Sequence, residues 1–201
     1  MLPIAVLASG SGTNLQALID SAASDVDFGA EIVVVITDRP DSQALQRAAN
    51  AGIATEVVTF DEHGNRDAFT KALCDAAEDH GAQVLVLAGF MRILAPDAVE
   101  RFPNRILNIH PSLLPSFPGV DAVEQALNHG AKVTGVTVHF VDEQVDHGPI
   151  IAQEPVPILG EDTAESLHER IQQQEHRLYP EVVKALARHR LEVTGRSVEW
   201  R

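Results

Sequence analysis

The sequence predicts a single-domain α/β protein, an open and mostly parallel twisted sheet flanked by helices, with an antiparallel strand pair late in the chain and a long C-terminal helix. Three observations predict it. Short apolar runs alternate with amphipathic helical patterns from Ile4 to His110. Such alternation builds right-handed βαβ units and therefore a parallel sheet. Lys132–Phe140 and Ile150–Pro155 flank a turn with no helical pattern between them, as an antiparallel pair would. A long helical pattern then closes the fold.

The elements follow in order. Ile4–Ala8 is an apolar strand, followed by a Gly-rich turn and a helix from Asn14. Glu31–Thr37 is a buried strand with a helix over Gln43–Ala51, and Ile53–Val58 is a short strand. Arg66–His80 is an amphipathic helix ended by Gly81. Val84–Leu87 is a buried strand, Pro96–Arg101 a short helix and Ile106–His110 the next strand. In Glu165–Arg190, Leu167, Ile171, Leu178, Val182, Val183 and Leu186 recur near helical spacing, and Pro180 is expected to kink the helix. No repeat, low-complexity tract or linker interrupts the chain, so residues 1–201 are read as one domain.

Composition narrows the function. A chain of 201 residues, 45% hydrophobic and 22% charged, can bury one sizeable core. The formal net charge of −14 argues against a nucleic-acid partner, since phosphate backbones are bound by clustered Lys and Arg. A small anion can still be held at a helix N-terminus. The lone Cys74 excludes an internal disulfide and fits a reducing compartment. No apolar run is long enough to span a bilayer and no basic leader precedes Ile4, so no membrane partner and a cytoplasmic location are expected.

Chemistry concentrates in Asn108-Ile109-His110-Pro111-Ser112-Leu113-Leu114-Pro115. Side chains alternate along a strand, so Asn108 and His110 share a face, and Pro111 stops the strand after the histidine. Asp146 lies in a second irregular turn, Val145-Asp146-His147-Gly148-Pro149. A carboxylate, an imidazole and an amide can move protons and stabilise an oxyanion. The plainer alternative is a capped strand end with a surface histidine.

Ser9-Gly10-Ser11-Gly12-Thr13-Asn14 opens the first helix, where free N–H groups attract a phosphate. A dinucleotide fingerprint requires a third glycine where Leu15 stands, so a single phosphate is favoured, although Asp38 at the end of the next strand could suit a ribose. A tight turn capped by Thr13 or Asn14 is the structural alternative. Gly89-Phe90-Met91-Arg92-Ile93-Leu94 offers an apolar wall for a flat heterocycle. Serine hydrolysis is disfavoured because Ser112 lies between prolines outside any G-x-S-x-G elbow. Cys74 sits mid-helix as packing. The nine histidines form no metal-ligand spacing, so no metal is expected. His63, His80, His129, His176 and His189 read as solvated or helix-end residues, and His139 as a structural hydrogen-bonding residue.

Together these segments, with Val138-His139-Phe140-Val141, Asp146-His147-Gly148-Pro149-Ile150 and Gln174-Glu175-His176, resemble the folate-dependent formyltransferase family over nearly the whole chain. The Ser-Gly-Ser-Gly-Thr-Asn opening points to its purine-pathway branch. The resemblance implies a Rossmann-like fold and formyl transfer from 10-formyltetrahydrofolate, a co-substrate, to the amino group of glycinamide ribonucleotide. It implies that Asn108, His110 and Asp146 carry the chemistry. It assigns Gly12, Thr13 and Asn14 to the ribonucleotide phosphate and Glu175 to its ribose. Arg66, Met91, Arg92, Ile93, Leu94, Asn108, Asp142 and Asp146 would form the folate pocket. The implied partners are these two small molecules, with a homodimer as a possible assembly. Two positions depart from the family pattern: Ser116, where lysine is frequent, and His147, where a small residue is usual.

A transfer-RNA formyltransferase would need an added basic domain. A formyltetrahydrofolate hydrolase would need a regulatory domain, for which no room exists before Ile4. A non-catalytic nucleotide-binding module would leave Asn108, His110 and Asp146 idle.

Overall fold

The computed structural model describes residues 1–201. Seven strands form one sheet: β1 (Leu2–Leu7), β2 (Ala30–Thr37), β3 (Ala54–Val57), β4 (Val84–Leu87), β5 (Ile106–His110), β6 (Val133–Phe140) and β7 (Ile150–Pro157). Their order is β3-β2-β1-β4-β5-β6-β7. The chain divides into two compact units, Met1–Leu107 and Asn108–Arg201.

In the first unit β1 pairs in parallel with β2 and with β4, and β2 in parallel with β3. Ile4 to Leu7 and Val84 to Val86 are almost wholly buried, as strands covered on both faces must be. The helices are α1 (Thr13–Ser24), α2 (Gln43–Asn50), α3 (Phe60–His63), α4 (Arg66–Asp79) and α5 (Pro96–Arg101). Ser42 caps α2 by accepting from the Ala44 N–H, and Asn65 caps α4 by accepting from Ala68. Cys74 is buried and its thiol is pushed up to about 12, first by burial, so it is packing material rather than a nucleophile.

In the second unit β6 and β7 pair antiparallel, Val133 opposite Pro157 and His139 opposite Ile150, with a register shift at Val138/His139. The helices α6 (Ala122–Asn128) and α7 (Ala164–Ala187) belong here. A capping box of Thr163 and Ser166 starts α7, which continues through Pro180. It stops before Arg190, the expected end, because Arg188 takes the C-cap position and His189 turns to a φ of +55°. The chain ends in a hairpin, β8 (Leu191–Thr194) with β9 (Ser197–Trp200), around Gly195 at φ +60° and Arg196.

The principal strands and helices fall within a few residues of their expected spans. The short helices α3 and α6 and the terminal hairpin were not expected. Each is too short to display a helical or strand period of its own. His63, His80, His129 and His189 do lie at or just beyond helix ends, whereas His176 lies inside α7. No helix is long and apolar enough to cross a membrane.

Gly135 on β6 has no room for a side chain. A Cβ there would overlap the Glu154 carbonyl oxygen and lie 2.6 Å from Leu113 Cδ2. Gly135→Ala should therefore cost about 1–3 kcal/mol or more, read as a lowered urea midpoint. A midpoint shift worth less than about 0.5 kcal/mol would contradict this packing.

Candidate active site

Within the first unit, the turn from Ser9 to Gly12 links β1 to α1. Gly12 occupies the N-cap of α1 at φ +68°, and no side chain caps the helix. The expectation of a Thr13 or Asn14 cap is corrected. Both residues lie inside the first turn, and the left-handed backbone at the cap selects glycine. A Cβ at Gly12 would also come within 3.0 Å of Ala44. The loop is pinned from α2. The Gly10 carbonyl accepts from Ser42 Oγ at 2.9 Å and the Ala44 N–H at 3.3 Å, and the Ser11 carbonyl accepts from Arg47 Nε at 2.7 Å. With its carbonyls turned to α2, the loop presents an uncapped helix N-terminus, the kind of site that attracts anions.

The Met91 N–H donates to Ser9 Oγ at 2.9 Å, tying this turn to the apolar loop after β4. Met91 and Ile93 are exposed there, and Leu94 is half-buried. Arg92 Nε donates to Asp38 Oδ2 at 2.8 Å, and its guanidinium lies 5.1 Å from the centre of the Phe60 ring. Asp38 is thus a buried counter-ion for Arg92, not a carboxylate open to a ribose. Arg66, the first residue of α4, is exposed.

Within the second unit, Asn108 and His110 point to one face of β5, as strand alternation requires. Both reach the same carboxylate. Asn108 Nδ2 donates to Asp146 Oδ1 at 3.3 Å, and His110 Nδ1 lies 3.3 Å from Asp146 Oδ2. The Gly119 N–H donates to Oδ2 at 2.7 Å. His110 Nε2 donates to the Phe117 carbonyl at 2.8 Å. A carbonyl and a carboxylate are both acceptors, so only a doubly protonated ring can donate to both. Phe117 and Asp146 each adopt a left-handed backbone, at φ +52° and +50°. Such conformations cost energy in bulky or branched residues and cluster where function requires them.

The turn after β5 is braced by Thr137. Its buried hydroxyl donates to the Ser112 carbonyl at 2.7 Å and accepts from the Leu114 N–H at 3.0 Å. Ser112 is fully buried and donates to the Ser116 carbonyl at 2.6 Å, the geometry of a turn residue. His139 belongs at this site more closely than its sequence context suggested. It is 1% exposed, with Nε2 3.3 Å from Asn108 Nδ2 and 3.6 Å from Asp146 Oδ1. Its Nδ1 donates to the Phe140 carbonyl at 2.8 Å. Its alternation with Thr137 on β6 was the available signal. Asp142 is joined to His147 at 2.7 Å in the loop that carries Asp146. Glu175 is buried on α7, in the same stripe as Leu167, Ile171 and Leu178. No group of three or more His, Cys, Asp or Glu side chains is arranged to hold a metal ion.

The formyl transferase family model matches residues 2–183. The chain is a member of the formyl transferase family. Among this formyl transferase's relatives, the phosphoribosylglycinamide formyltransferase of Mycobacterium tuberculosis is 47% identical over 194 residues, 96% of this chain and 89% of that protein. The phosphoribosylglycinamide formyltransferase of Escherichia coli is 41% identical over 94% of this chain and 89% of its own length. The solved structure of glycinamide ribonucleotide transformylase 1 from Symbiobacterium toebii superposes with a TM-score of 0.97 at 48% identity, covering 100% of this chain and 94% of that one. The seven-stranded, mostly parallel sheet with its antiparallel pair is the fold expected for this formyl transferase.

Burial acts to raise the Asp146 carboxyl, but the His139 ring, the Gly119 N–H and the charge of His110 outweigh it and hold the group below the ordinary 3.8. A depressed carboxylate contributes stability above its unfolded-state pKa and loses it as the pH falls through the folded one. The stability difference between wild type and Asp146→Asn should therefore be constant above about pH 5 and shift against the wild type as the pH falls below about 4. Urea midpoints across that range test it, and a difference that stays flat to pH 2 would contradict it.

Proposed function

We propose that this formyl transferase moves the formyl group of 10-formyltetrahydrofolate to the amino group of glycinamide ribonucleotide, yielding formylglycinamide ribonucleotide and tetrahydrofolate in purine biosynthesis. The observation that carries the reading is the gathering of Asn108 and His110 on the single carboxylate of Asp146. On this reading the two compact units work as one formyltransferase domain, and the family match over residues 2–183 supports it. The protein works in the cytoplasm, and the two small molecules are its reaction partners.

The substrate amine attacks the formyl carbon directly, so the protein supplies no nucleophile. A C–N bond forms, and the carbonyl oxygen takes up negative charge in a tetrahedral intermediate. The Asn108 amide and the protonated His110 ring stabilise that oxygen. Their separations of 3.3 Å from Asp146 are longer than about 2.7–2.9 Å, the usual range for charge-assisted bonds, so both donors can turn toward a substrate oxygen. The bond to N10 of the folate then breaks. The amine gives up a proton and N10 gains one, with Asp146 taking part in the relay, directly or through water.

Gly12, Thr13 and Asn14 hold the ribonucleotide phosphate at the N-terminus of α1, which the uncapped Gly12 supports. Glu175 accepts the ribose hydroxyls, in keeping with a glutamate placed on an otherwise apolar stripe of α7. Arg66, Met91, Arg92, Ile93, Leu94, Asn108, Asp142 and Asp146 form the folate pocket. The donor itself is 10-formyltetrahydrofolate, acting without a metal.

His110→Ala and Asp146→Asn should each keep the fold at neutral pH while lowering kcat by about 10²–10³, the usual loss for an oxyanion donor or its partner. Steady-state rates paired with thermal melts check this. Near wild-type turnover in either variant would overturn the assignment.

A further inference from the structure

The loop that carries Asp146 is held by a part of the chain outside the family match. That match ends at residue 183, and the hairpin β8–β9 follows it. At the hairpin tip, Arg196 donates from one terminal guanidinium nitrogen to the His147 carbonyl at 2.6 Å. Its other terminal nitrogen lies 3.3 Å from both ring nitrogens of His147. The His147 ring in turn meets Asp142 Oδ2 at 2.7 Å. The base of the hairpin is anchored separately, Trp200 Nε1 donating to the Ile151 carbonyl at 2.9 Å.

We infer that Arg196 is a positioning residue which, through the His147 carbonyl, holds the Asp142–Gly148 loop with Asp146 in its working conformation. The inference rests on the reading of Asp146 as the catalytic carboxylate. The loop needs such a hold. Asp146 sits at φ +50°, a conformation that its own side chain merely tolerates. Gly148 is wedged against β6, where a Cβ would overlap the Phe140 carbonyl oxygen. His147 lies between these two constrained residues, and its carbonyl is where a charged donor from outside the loop takes hold. A bond from guanidinium to carbonyl is charge-assisted and stronger than a neutral one. His147, one of the two departures from the family pattern, adds a ring that spans Arg196 and Asp142. A small residue there would leave Arg196 the carbonyl alone.

Arg196→Ala, Arg196→Lys and wild type would be compared in full-length protein by steady-state kinetics and by amide hydrogen exchange of the segment 141–149. Arg196→Ala is expected to lower kcat about tenfold, the scale of loss from a displaced catalytic group, and to leave KM for the ribonucleotide unchanged. Exchange in the segment should speed up while the melting temperature holds. Arg196→Lys, which still donates to the carbonyl, should recover most of both. Unchanged exchange in Arg196→Ala, or a lysine variant no better than alanine, overturns the inference. Exchange is read without substrate. A wild-type protein that fails to turn over while its segment still loosens in Arg196→Ala would sink the formyl-transfer reading and leave the latch standing.

Discussion

The Asp146 carboxylate is the constraint around which the second unit is organised. A largely buried negative charge is costly unless it is paired and hydrogen-bonded on all sides. Here the donors come from three stretches of chain. Oδ1 faces Asn108 of β5 and His139 of β6, and Oδ2 faces His110 of β5 and the N–H of Gly119. The left-handed turns at Phe117 and Asp146 follow from the same need. One places a carbonyl on His110 Nε2, and the other turns the carboxylate toward the strands. The cost of the strained backbone is offset by hydrogen-bonding groups gathered on one buried carboxylate.

On the proposed reading, the first unit meets a different demand, that of attracting an anion to a protein of net charge −14. It does so with backbone rather than with a basic patch. The Gly10 and Ser11 carbonyls accept from Ser42, Ala44 and Arg47, and no side chain caps the helix N-terminus that the turn opens. Local partial charge at a helix end acts over a few ångströms, a range at which the net charge of the whole chain matters little. The pairing of Arg92 with buried Asp38 is the counterpart. It fixes a cation in the loop after β4 by neutralising it.

Much of this was legible in the sequence because it rests on periodicity. Strand alternation alone put Asn108 and His110 on one face, and the βαβ rhythm predicted the sheet. What escaped depends on contacts between distant segments. His139 looked like an ordinary strand residue until β6 brought it beside Asn108. The Phe117 carbonyl and the Gly119 N–H leave no mark in a sequence, since any residue could supply them. Glu175 did leave one. It interrupts the apolar stripe that runs through Ile171 and Leu178, and a carboxylate at such a position calls for a partner. The terminal hairpin lies beyond Arg190, where the expected helix ended, and its two four-residue strands are too short to carry a pattern of their own.

The most direct measurement is the acceptor dependence of formyl release. Purified protein would be supplied with 10-formyltetrahydrofolate, and tetrahydrofolate formation followed by absorbance, with glycinamide ribonucleotide present and with it omitted. The account predicts turnover that requires the ribonucleotide, because the chemistry at Asn108, His110 and Asp146 has no nucleophile of its own and needs the substrate amine. Equal release with and without the ribonucleotide would contradict it and make water the acceptor, and no release under either condition would contradict catalysis at this site altogether.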